Sequence, residues 1–420
     1  MIKRLLESMG GNRVVVALSM ARLGDAIGNS ILFIVLPLYV AELPAPAFPL
    51  PESVRVGILI ALYGLVNSAF QPFMGALSDR MGRRKPLIQG GLILMGAGTL
   101  AFIAATRFTD LLLLRSLQGL GVALTVPASL ALMATATQKH TRGGSMGIYT
   151  TMRMAGFAIG PLLGGFLHDL FGFDAAFYAG TAFILLGVFL VQFWVREVEA
   201  DVSAEKVRPF RLIDRELLTA GIAGVGIATF VMASAFSMMT TLEKQFNIRL
   251  HETALGFSIA FSALMISRLI FQIPLGRLSD RIGRKRIIIA GLILMAPVTA
   301  LLGEAGSTLQ LTGLRLFQGL ASAAIAAPAF ALAADLSRAG GEGRQMSIVT
   351  MGFGLGIALG PLIAGILAVV SFELPFLIGG LMALAAVWIV HHYVPETVHP
   401  EGGQPETLRR REHTPLANQD

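Results

Sequence analysis

Apolar stretches long enough to cross a lipid bilayer recur along almost the whole chain. A helix of about 20 residues spans roughly 30 Å of hydrocarbon. Only 14% of the 420 residues are charged, whereas a soluble domain carries roughly 25%. The sequence therefore predicts an all-α integral membrane protein with twelve transmembrane helices: 14–40, 54–76, 86–105, 109–133, 145–168, 174–195, 216–239, 255–276, 287–304, 310–334, 345–368 and 373–393.

The positions of the basic residues predict the orientation of these spans. Lys and Arg concentrate in the cytoplasmic loops of membrane proteins. With the N-terminus inside, the outer loops hold only Arg55, Arg107, Lys244 and Arg249 of the 33 Lys and Arg residues. Both termini are therefore predicted to be cytoplasmic, and the first apolar stretch is interpreted as a retained helix rather than a signal peptide. Topology in the cell inner (plasma) membrane accounts for the net charge of +7, so no nucleic-acid partner is predicted.

Three motifs occur twice, at an offset of about 200 residues. GALSDRMGRRK at Gly75 returns as GRLSDRIGRKR at Gly276, RSLQGLG at Arg115 as RLFQGLA at Arg315, and GFAIGPLLGG at Gly156 as GIALGPLIAG at Gly356. The chain is thus predicted to form two homologous six-helix halves, 1–195 and 216–393. A cytoplasmic linker, 196–215, joins them, and a polar cytoplasmic tail, 394–420, follows. Many secondary transporters consist of symmetric halves with a site between them.

These motifs resemble signatures of the major facilitator superfamily, and specifically of its twelve-helix drug:proton antiporters. The resemblance covers residues 10–395. It implies alternating access between the two halves and export rather than uptake. The copy of the third motif in the second half departs from the pattern at Ala364. The matching positions are Gly75-x-Leu77-x-Asp79-Arg80-x-Gly82-Arg83-Arg84-Lys85 for the loop signature between helices 2 and 3, Arg115-x-x-Gln118-Gly119-x-Gly121 for the helix 4 signature, and Gly156-x-x-x-Gly160-Pro161-x-x-Gly164-Gly165 for the antiporter signature of helix 5.

The glycines and charges of the repeated motifs are candidates for gating. Glycine permits tight turns and close helix approach, and an aspartate at a helix end can pair with arginine or cap a neighbouring helix. Such a cluster could lock one conformation and release it when the halves rock. Alternatively, the basic residues only enforce topology, and the proline only kinks its helix. The candidate gating residues are Gly75, Asp79, Arg80, Gly82, Arg83, Gly156, Gly160, Pro161, Gly164, Gly276, Asp280, Arg281, Gly283, Arg284, Gly360 and Pro361.

Asp25 is the one acidic residue that the sequence places deep inside a span. A carboxylate near the bilayer midplane is costly when charged, so a small change in its surroundings can load or unload a proton. Arg22 lies one turn earlier on the same helix face, and Arg115 and Arg153 are predicted at similar depth. In the family that the chain resembles, acids on helix 1 often bind protons or cationic substrates. We therefore predict proton coupling through these four residues. The alternative is a permanent charge pair that orients the helices.

Further polar residues within the spans are candidates for a substrate cavity. Asn29 shares a face with Asp25, although a buried asparagine can equally serve as a hydrogen bond between helices. No carboxylate is evident at the depth of Arg268 and Arg315. These arginines could be held by backbone carbonyls and by Gln272, or they could face a watery cavity and bind an anionic group. The cavity candidates are Asn29, Gln118, Arg268, Gln272, Arg315 and Gln318.

Taken together, these features predict a proton-coupled secondary transporter that exports small lipophilic or amphiphilic compounds. The alternatives are a same-fold transporter of a lipid, a sugar or another metabolite, an uncoupled facilitator, and a receptor that binds without translocating. The sequence has no cysteine, no nucleophile–base or metal constellation and no Walker-type glycine loop. No enzymatic activity, cofactor or metal is therefore predicted. The expected partners are a small-molecule substrate, protons and the lipid bilayer, and one chain is expected to function as a monomer.

Overall fold

The computed structural model consists of α-helices packed around four apolar clusters. It describes residues 12–81, 83–137, 142–195, 219–336 and 342–398. The predicted linker and most of the predicted tail lie outside these ranges. The helices are α1 (Arg13–Glu42), α2 (Glu52–Met81), α3 (Lys85–Ala101), α4 (Phe108–Ala136), α5 (Arg142–Trp194), α6 (Ala220–Ser237), α7 (Glu243–Leu250), α8 (Ala254–Ile282), α9 (Arg284–Leu301), α10 (Thr308–Leu336), α11 (Glu342–Leu367) and α12 (Leu374–Tyr393). Short 3₁₀ segments follow α3, α6 and α9.

Eleven helical segments in the described ranges are long and apolar enough to cross a membrane. The fifth and sixth predicted spans lie together in α5, where Gly172 is non-helical with φ 81° and ψ −171°. The two arms of α5 contact α1 in opposite order, so they run antiparallel. Twelve membrane crossings and cytoplasmic termini remain predictions. The ordered contacts are Gly156–Leu23 and Gly164–Ile31 for the first arm, and Gly180–Gly28 and Gly187–Ala21 for the second.

The seventh apolar segment extends further than the sequence predicted. The predicted span ends at residue 239, but the helical path continues through the 3₁₀ segment Met238–Leu242 into α7. It ends at His251, which has a left-handed backbone with φ 53°. One face of the extension lies inside the protein, where Leu242, Glu243 and Phe246 are all buried, whereas Ile248 and Arg249 are exposed. The segment is therefore a helix with one buried face rather than an outer loop.

The sequence repeat is also a repeat of contacts. In each half, a serine on the first helix donates a hydrogen bond to a glycine carbonyl on the fifth, and a glutamine donates to a threonine on the third. The first pair of bonds is Ser30 Oγ to the Gly156 carbonyl at 3.1 Å and Ser237 Oγ to the Gly356 carbonyl at 3.2 Å. The second pair is Gln118 Nε2 to Thr99 Oγ1 at 2.8 Å and Gln318 Nε2 to Thr299 Oγ1 at 3.1 Å.

Helix α2 of the first half packs against α11 of the second half near one end. A Cβ atom built on Gly57 would lie 2.7 Å from the Pro361 carbonyl oxygen, so only glycine fits this contact. Gly75 lies on the same face of α2, about five turns later. Among the described residues, the nearest atom outside the helix there belongs to Pro127 of the same half, at 3.7 Å. The two helices therefore separate toward Gly75.

The second contact between the halves, α5 with α8, separates in the same direction. At Gly165 a Cβ atom would lie 2.7 Å from the Ala254 carbonyl oxygen. Gly147 lies about five turns away on the same face of α5, and no described atom outside its own helix lies within 4 Å of its Cβ position. The structure is thus closed near the α1–α2 connection and open at the end that carries the repeated charged loops. These two ends are called the closed end and the open end below.

Candidate functional site

Four phenylalanine rings close the space between the halves. Phe33 of α1 and Phe157 of α5 belong to the first half, and Phe236 of α6 and Phe261 of α8 belong to the second. The ring centroid of Phe33 lies 5.7 Å from that of Phe157 and 6.1 Å from that of Phe261. The ring centroids of Phe236 and Phe261 lie 5.4 Å apart. Such distances are typical of packed aromatic pairs. We call these four rings the aromatic plug.

The carboxylate of Asp25 is buried and has two direct partners on its own helix. Arg22 forms an ion pair with Oδ2, and Asn29 Nδ2 donates to Oδ1 at 2.7 Å. Only 2% of the Asp25 surface is exposed. The Arg22 guanidinium also lies over the ring of Tyr149 of α5, 5.7 Å from its centroid. The proposed coupling residues Arg22 and Asp25 and the cavity candidate Asn29 therefore form one cluster.

Arg115 and Arg315 occupy equivalent buried positions on α4 and α10. Arg115 Nη1 donates to Gln118 Oε1 at 3.1 Å, and Arg315 Nη1 donates to Gln318 Oε1 at 2.5 Å. Arg115 lies over Tyr63, 5.2 Å from the ring centroid, and no hydrogen bond joins it to Asp25 in the described residues. Neither arginine nor its glutamine lines an open cavity, because all four side chains are buried.

Arg315 is held by neutral groups alone. Besides its bond to Gln318, it donates to the Phe236 carbonyl oxygen at 3.4 Å. Its guanidinium lies 5.3 Å from the ring centroid of Phe261, in the aromatic plug. Of the two options left open by the sequence, the structure therefore gives Arg315 a backbone carbonyl and a glutamine rather than a watery cavity.

Arg153 of α5 and Arg268 of α8 are only half-buried. Within the described part of the chain, neither forms a hydrogen bond or an ion pair, and the Nε atom of each is buried without a partner. Each guanidinium lies over a phenylalanine ring, Arg153 over Phe157 at 5.3 Å and Arg268 over Phe353 at 5.8 Å. Gln272 does not hold Arg268, since its Oε1 atom is also buried without a partner.

The repeated charged loop ties helices together within each half. Arg84 Nη1 donates to the Ala131 carbonyl oxygen at 2.8 Å, and Arg284 Nη1 donates to the Ala331 carbonyl oxygen at 2.5 Å. Arg284 also pairs with Asp280, at 3.2 Å, and with Asp335. Arg80, Arg83 and Arg281 are exposed, and Gly283 has φ 117° where α8 ends. Gly82 and the side chain of Asp79 lie outside the described residues.

One carboxylate supports this loop in the second half. Glu396, in the first residues of the predicted tail, accepts a hydrogen bond from the backbone N–H of Arg284 at 2.8 Å. It also accepts bonds from the N–H groups of Lys285 and Arg286, both at 3.3 Å. A carboxylate at a helix N-terminus satisfies free N–H groups there. Glu396 therefore caps α9.

The glycines of the antiporter motif pack α5 against α1 of the same half. A Cβ atom on Gly160 would lie 1.9 Å from Ser30 Oγ and 2.6 Å from the Ile27 carbonyl oxygen. In the second half the equivalent glycines pack α11 against α6. The neighbouring Gly165 and the Pro361 carbonyl meet the opposite half. The close approaches within halves are Gly156 to Leu23, Gly164 to Ile31, Gly360 to Ser234 and Gly276 to Ala327; Pro161 is buried in α5.

Glu243 is a buried acid that the sequence interpretation missed. Its side chain is 0% exposed, and both carboxyl oxygens lack a hydrogen-bond partner in the described residues. It lies at the closed end, next to Lys244, whose Nζ forms an ion pair with Glu52 Oε2 of the first half at 2.8 Å. The apolar residues Leu242 and Phe246 on either side of it indicate burial. The predicted span ends before them, so the sequence interpretation did not use this pattern.

Comparison with known proteins identifies a family whose members resemble this chain. The family model described as Major Facilitator Superfamily matches residues 18–250 and 221–418. The multi-drug resistance efflux pump PmrA of Streptococcus pneumoniae is 27% identical over 320 residues, covering 73% of this chain and 77% of that protein.

Solved structures share the fold at low sequence identity. A bacterial homologue of the human lysosomal transporter Spinster, in an inward-facing and occupied conformation, matches with a TM-score of 0.71 and 15% identity, over 90% of this chain and 94% of that one. The human organic anion transporter MFSD10 matches with a TM-score of 0.65 and 17% identity, over 90% of this chain and 99% of that one.

Proposed function

The chain belongs to the major facilitator superfamily, in its drug:proton antiporter-like family, and on this premise we propose that it exports small lipophilic or amphiphilic compounds in exchange for protons. The proposal includes a location in the cell inner (plasma) membrane, cytoplasmic termini and function as a monomer. It also includes alternating access, with the repeated loops and glycine motifs as parts of the gates. The separation of the halves at one end only is one of the two states that such a cycle requires.

The observation that carries the proposal is the buried ion pair between Asp25 and Arg22. A proton on Asp25 removes the negative charge that holds Arg22 and changes the electrostatic balance between α1 and its neighbours. A ligand shifts a conformational equilibrium only if it binds the two states with different affinity. A carboxylate whose charge environment differs between the two states meets that condition. Proton loading at Asp25 would thereby bias the halves toward one state.

The surroundings of this cluster support a lipophilic cargo. The aromatic plug and the neighbouring Phe353 offer rings rather than hydroxyl groups, and pockets for drug-sized ligands are lined mainly by such side chains with a few polar groups. The relative named as a multidrug efflux pump agrees with this substrate class. A sugar would require more polar partners than these rings provide.

Transport in liposomes tests the proposal. The purified protein is reconstituted with an imposed pH gradient, and uphill movement of fluorescent amphiphiles that carry positive, negative or no charge is followed. We expect uphill movement by the wild type and its loss in Asp25→Asn, with counterflow exchange retained. Asp174→Asn, which removes an exposed carboxylate, is the matched control. Equal uphill movement by Asp25→Asn would remove Asp25 from coupling, and no gradient-driven movement of any probe would overturn the proposal.

A same-fold transporter of a lipid or another metabolite is the second candidate. Solved structures with this fold include proteins whose names do not describe multidrug efflux, namely the Spinster homologue and an organic anion transporter. The same liposomes distinguish the candidates, because a lipid transporter would move a labelled phospholipid or fatty acid and not the drug-like dyes. An uncoupled facilitator would equilibrate a probe without accumulating it.

A further inference from the structure

Arg153 and Arg268 lie half-buried on α5 and α8 and form no ion pair with a described carboxylate, and we propose that they form a binding site for an oxyanion on an amphiphilic substrate. The substrate would carry a carboxylate, phosphate or sulfonate head on an apolar body. This inference names the substrate class of the proposed transporter, and so it rests on that proposed function.

The packing of α5 against α8 brings the two arginines to the same level. The helices are antiparallel, and Gly165 of α5 meets Ala254, Leu255 and Ser258 of α8. Arg153 lies twelve residues before Gly165 on α5. Twelve residues after the residues of α8 that meet Gly165 is the turn that contains Arg268. The charge of Arg268 accordingly interacts with that of Arg153. One arginine comes from each half, so an occupant of this site would contact both.

No carboxylate in the described residues pairs with either guanidinium. The buried acids there are Asp25 and Glu243. The oxygens of Asp25 are taken by Arg22 and Asn29, and Glu243 lies at the closed end, on α7. Two like charges that are partly removed from water raise the free energy of the empty site. A bound anion would relieve this repulsion and supply the missing partner.

The surroundings of the two arginines fit a charged head on an apolar body. A guanidinium presents several N–H donors in a planar fork that matches carboxylate, sulfonate and phosphate oxygens. The rings of Phe157 and Phe353 lie beneath the two guanidinium groups, which limits their hydration and strengthens the attraction for an anion. Phe157 is also part of the aromatic plug, so the apolar body of the same ligand would find a ring surface next to the charges.

An anionic cargo is compatible with export. In a membrane whose inside is negative, the electrical potential favours outward movement of a negative charge. The electrical gradient would therefore drive such a substrate in the direction that the proposed function requires.

Direct binding of a matched set of ligands tests the inference. Radiolabelled decanesulfonate, which stays anionic, is bound to the full-length protein in detergent and displaced by unlabelled decanesulfonate, decanol or decyltrimethylammonium. The variants are Arg268→Gln, Arg153→Gln and Arg268→Lys. Arg277→Gln, which removes an exposed positive charge two to three turns further along α8, is the control. Unchanged elution profiles and melting temperatures exclude variants that fail to fold.

We expect each glutamine variant to bind decanesulfonate at least tenfold more weakly than the wild type. Arg268→Lys should recover part of this loss, and Arg277→Gln should bind within twofold of the wild type. Displacement by decanol or decyltrimethylammonium as effective as displacement by decanesulfonate would overturn the inference, as would unchanged binding in both glutamine variants. Decanoate and decyl phosphate then distinguish a carboxylate from a phosphate head, and failure of both to displace the probe would also count against the site.

The outcome is independent of proton coupling. Binding that depends on both arginines, with no gradient-driven transport, would leave the anion site and remove the proposed exporter. Gradient-driven transport of cationic dyes alone, without arginine-dependent binding of decanesulfonate, would leave the exporter and remove the anion site.

Discussion

Arg22 and Asp25 form an ion pair within a single turn of α1, and both side chains are buried. The charge partner of the acid thus lies on its own helix and moves with it. Arg153 of α5 interacts with the same acid over a longer range. A change in the position of α5 relative to α1 would therefore alter the charge environment of Asp25 without breaking its closest bond.

Replacing Arg22 with glutamine should lower stability and impair proton-driven transport. The substitution leaves the buried carboxylate of Asp25 without its ion-pair partner, and breaking a buried pair in this way typically costs about 3–5 kcal/mol. Thermal unfolding in detergent and proton-driven uptake of a dye into inverted vesicles measure the two effects. Arg13→Gln removes an exposed charge from the same helix and should leave both unchanged. Equal melting temperatures in Arg22→Gln and wild type would contradict a stabilising pair.

Gly160→Ala should destabilise the first half. The added methyl group would lie 2.6 Å from the Ile27 carbonyl oxygen, and this oxygen cannot move without the backbone of α1. Overpacking of this kind typically costs about 1–3 kcal/mol, which thermal unfolding in detergent would detect. Gly90→Ala is the matched control, because no described atom outside its helix lies within 4 Å of that Cβ position. Equal melting temperatures in the two variants would show that α5 and α1 are not so closely packed.

Cysteine pairs should cross-link midway along the contact between α2 and α11 and not at the open end. The chain has no cysteine, so each introduced pair is unambiguous. A Cβ atom on Gly354 would lie 3.4 Å from Ser68 Oγ, close to the geometry that a disulfide requires. Ser68→Cys with Gly354→Cys should therefore oxidise rapidly and stop transport. Gly147→Cys with Gly276→Cys should remain reduced until the halves close at that end, and rapid oxidation of this pair alone would indicate the opposite resting state.

Glu243→Gln should abolish a pH dependence of the closed end. A charged carboxylate without partners is very unfavourable in an apolar interior, so Glu243 should be protonated when the end is closed and should favour opening when it ionises. Its charged neighbours are Lys244, paired with Glu52, and Asp169 of α5. The thiolate fraction of any cysteine rises with pH and speeds its oxidation, so each rate is divided by that of an exposed cysteine pair at the same pH. This corrected rate of cross-linking for the Ser68–Gly354 pair should fall as the pH rises in otherwise wild-type protein and stay constant with Glu243→Gln.

Glu252→Gln is the control for this measurement, because Glu252 is an exposed acid of the same region. It should retain the pH dependence of the wild type. A pH dependence that persists in Glu243→Gln would assign it to another group.

The repeated motifs and the apolar spans could be predicted because their physical signals are local. Length and hydropathy define a span, and two copies of the same motif occupy equivalent positions in two similar halves. The proximity of Arg22, Asp25 and Asn29 could also be predicted, since residues three or four apart share a helix face. The sequence predicts the two arms of α5 as the separate spans 145–168 and 174–195, and in the structure only Gly172 interrupts the helix between them.

Contacts between distant segments could not be predicted. Whether Arg153 approaches Arg268 depends on which helices of the two halves face each other and in which register. Glu243 was misplaced because the segment from 243 to 249 contains five polar residues and reads as a loop. Its burial results from tertiary packing of α7 against α1 and α8, which overrides local composition.

The aromatic plug also has a consequence for the leakage of protons across the membrane. If the protein exchanges its cargo for protons as proposed, it must not conduct protons when it is not transporting, and protons move readily along files of water. The four rings, two from each half, interrupt any such file of water between the open end and the closed end. Because each half supplies only two of them, the barrier disappears when the halves part. A second barrier must therefore form at the open end before the rings separate, and any overlap between the two events would appear as a leak.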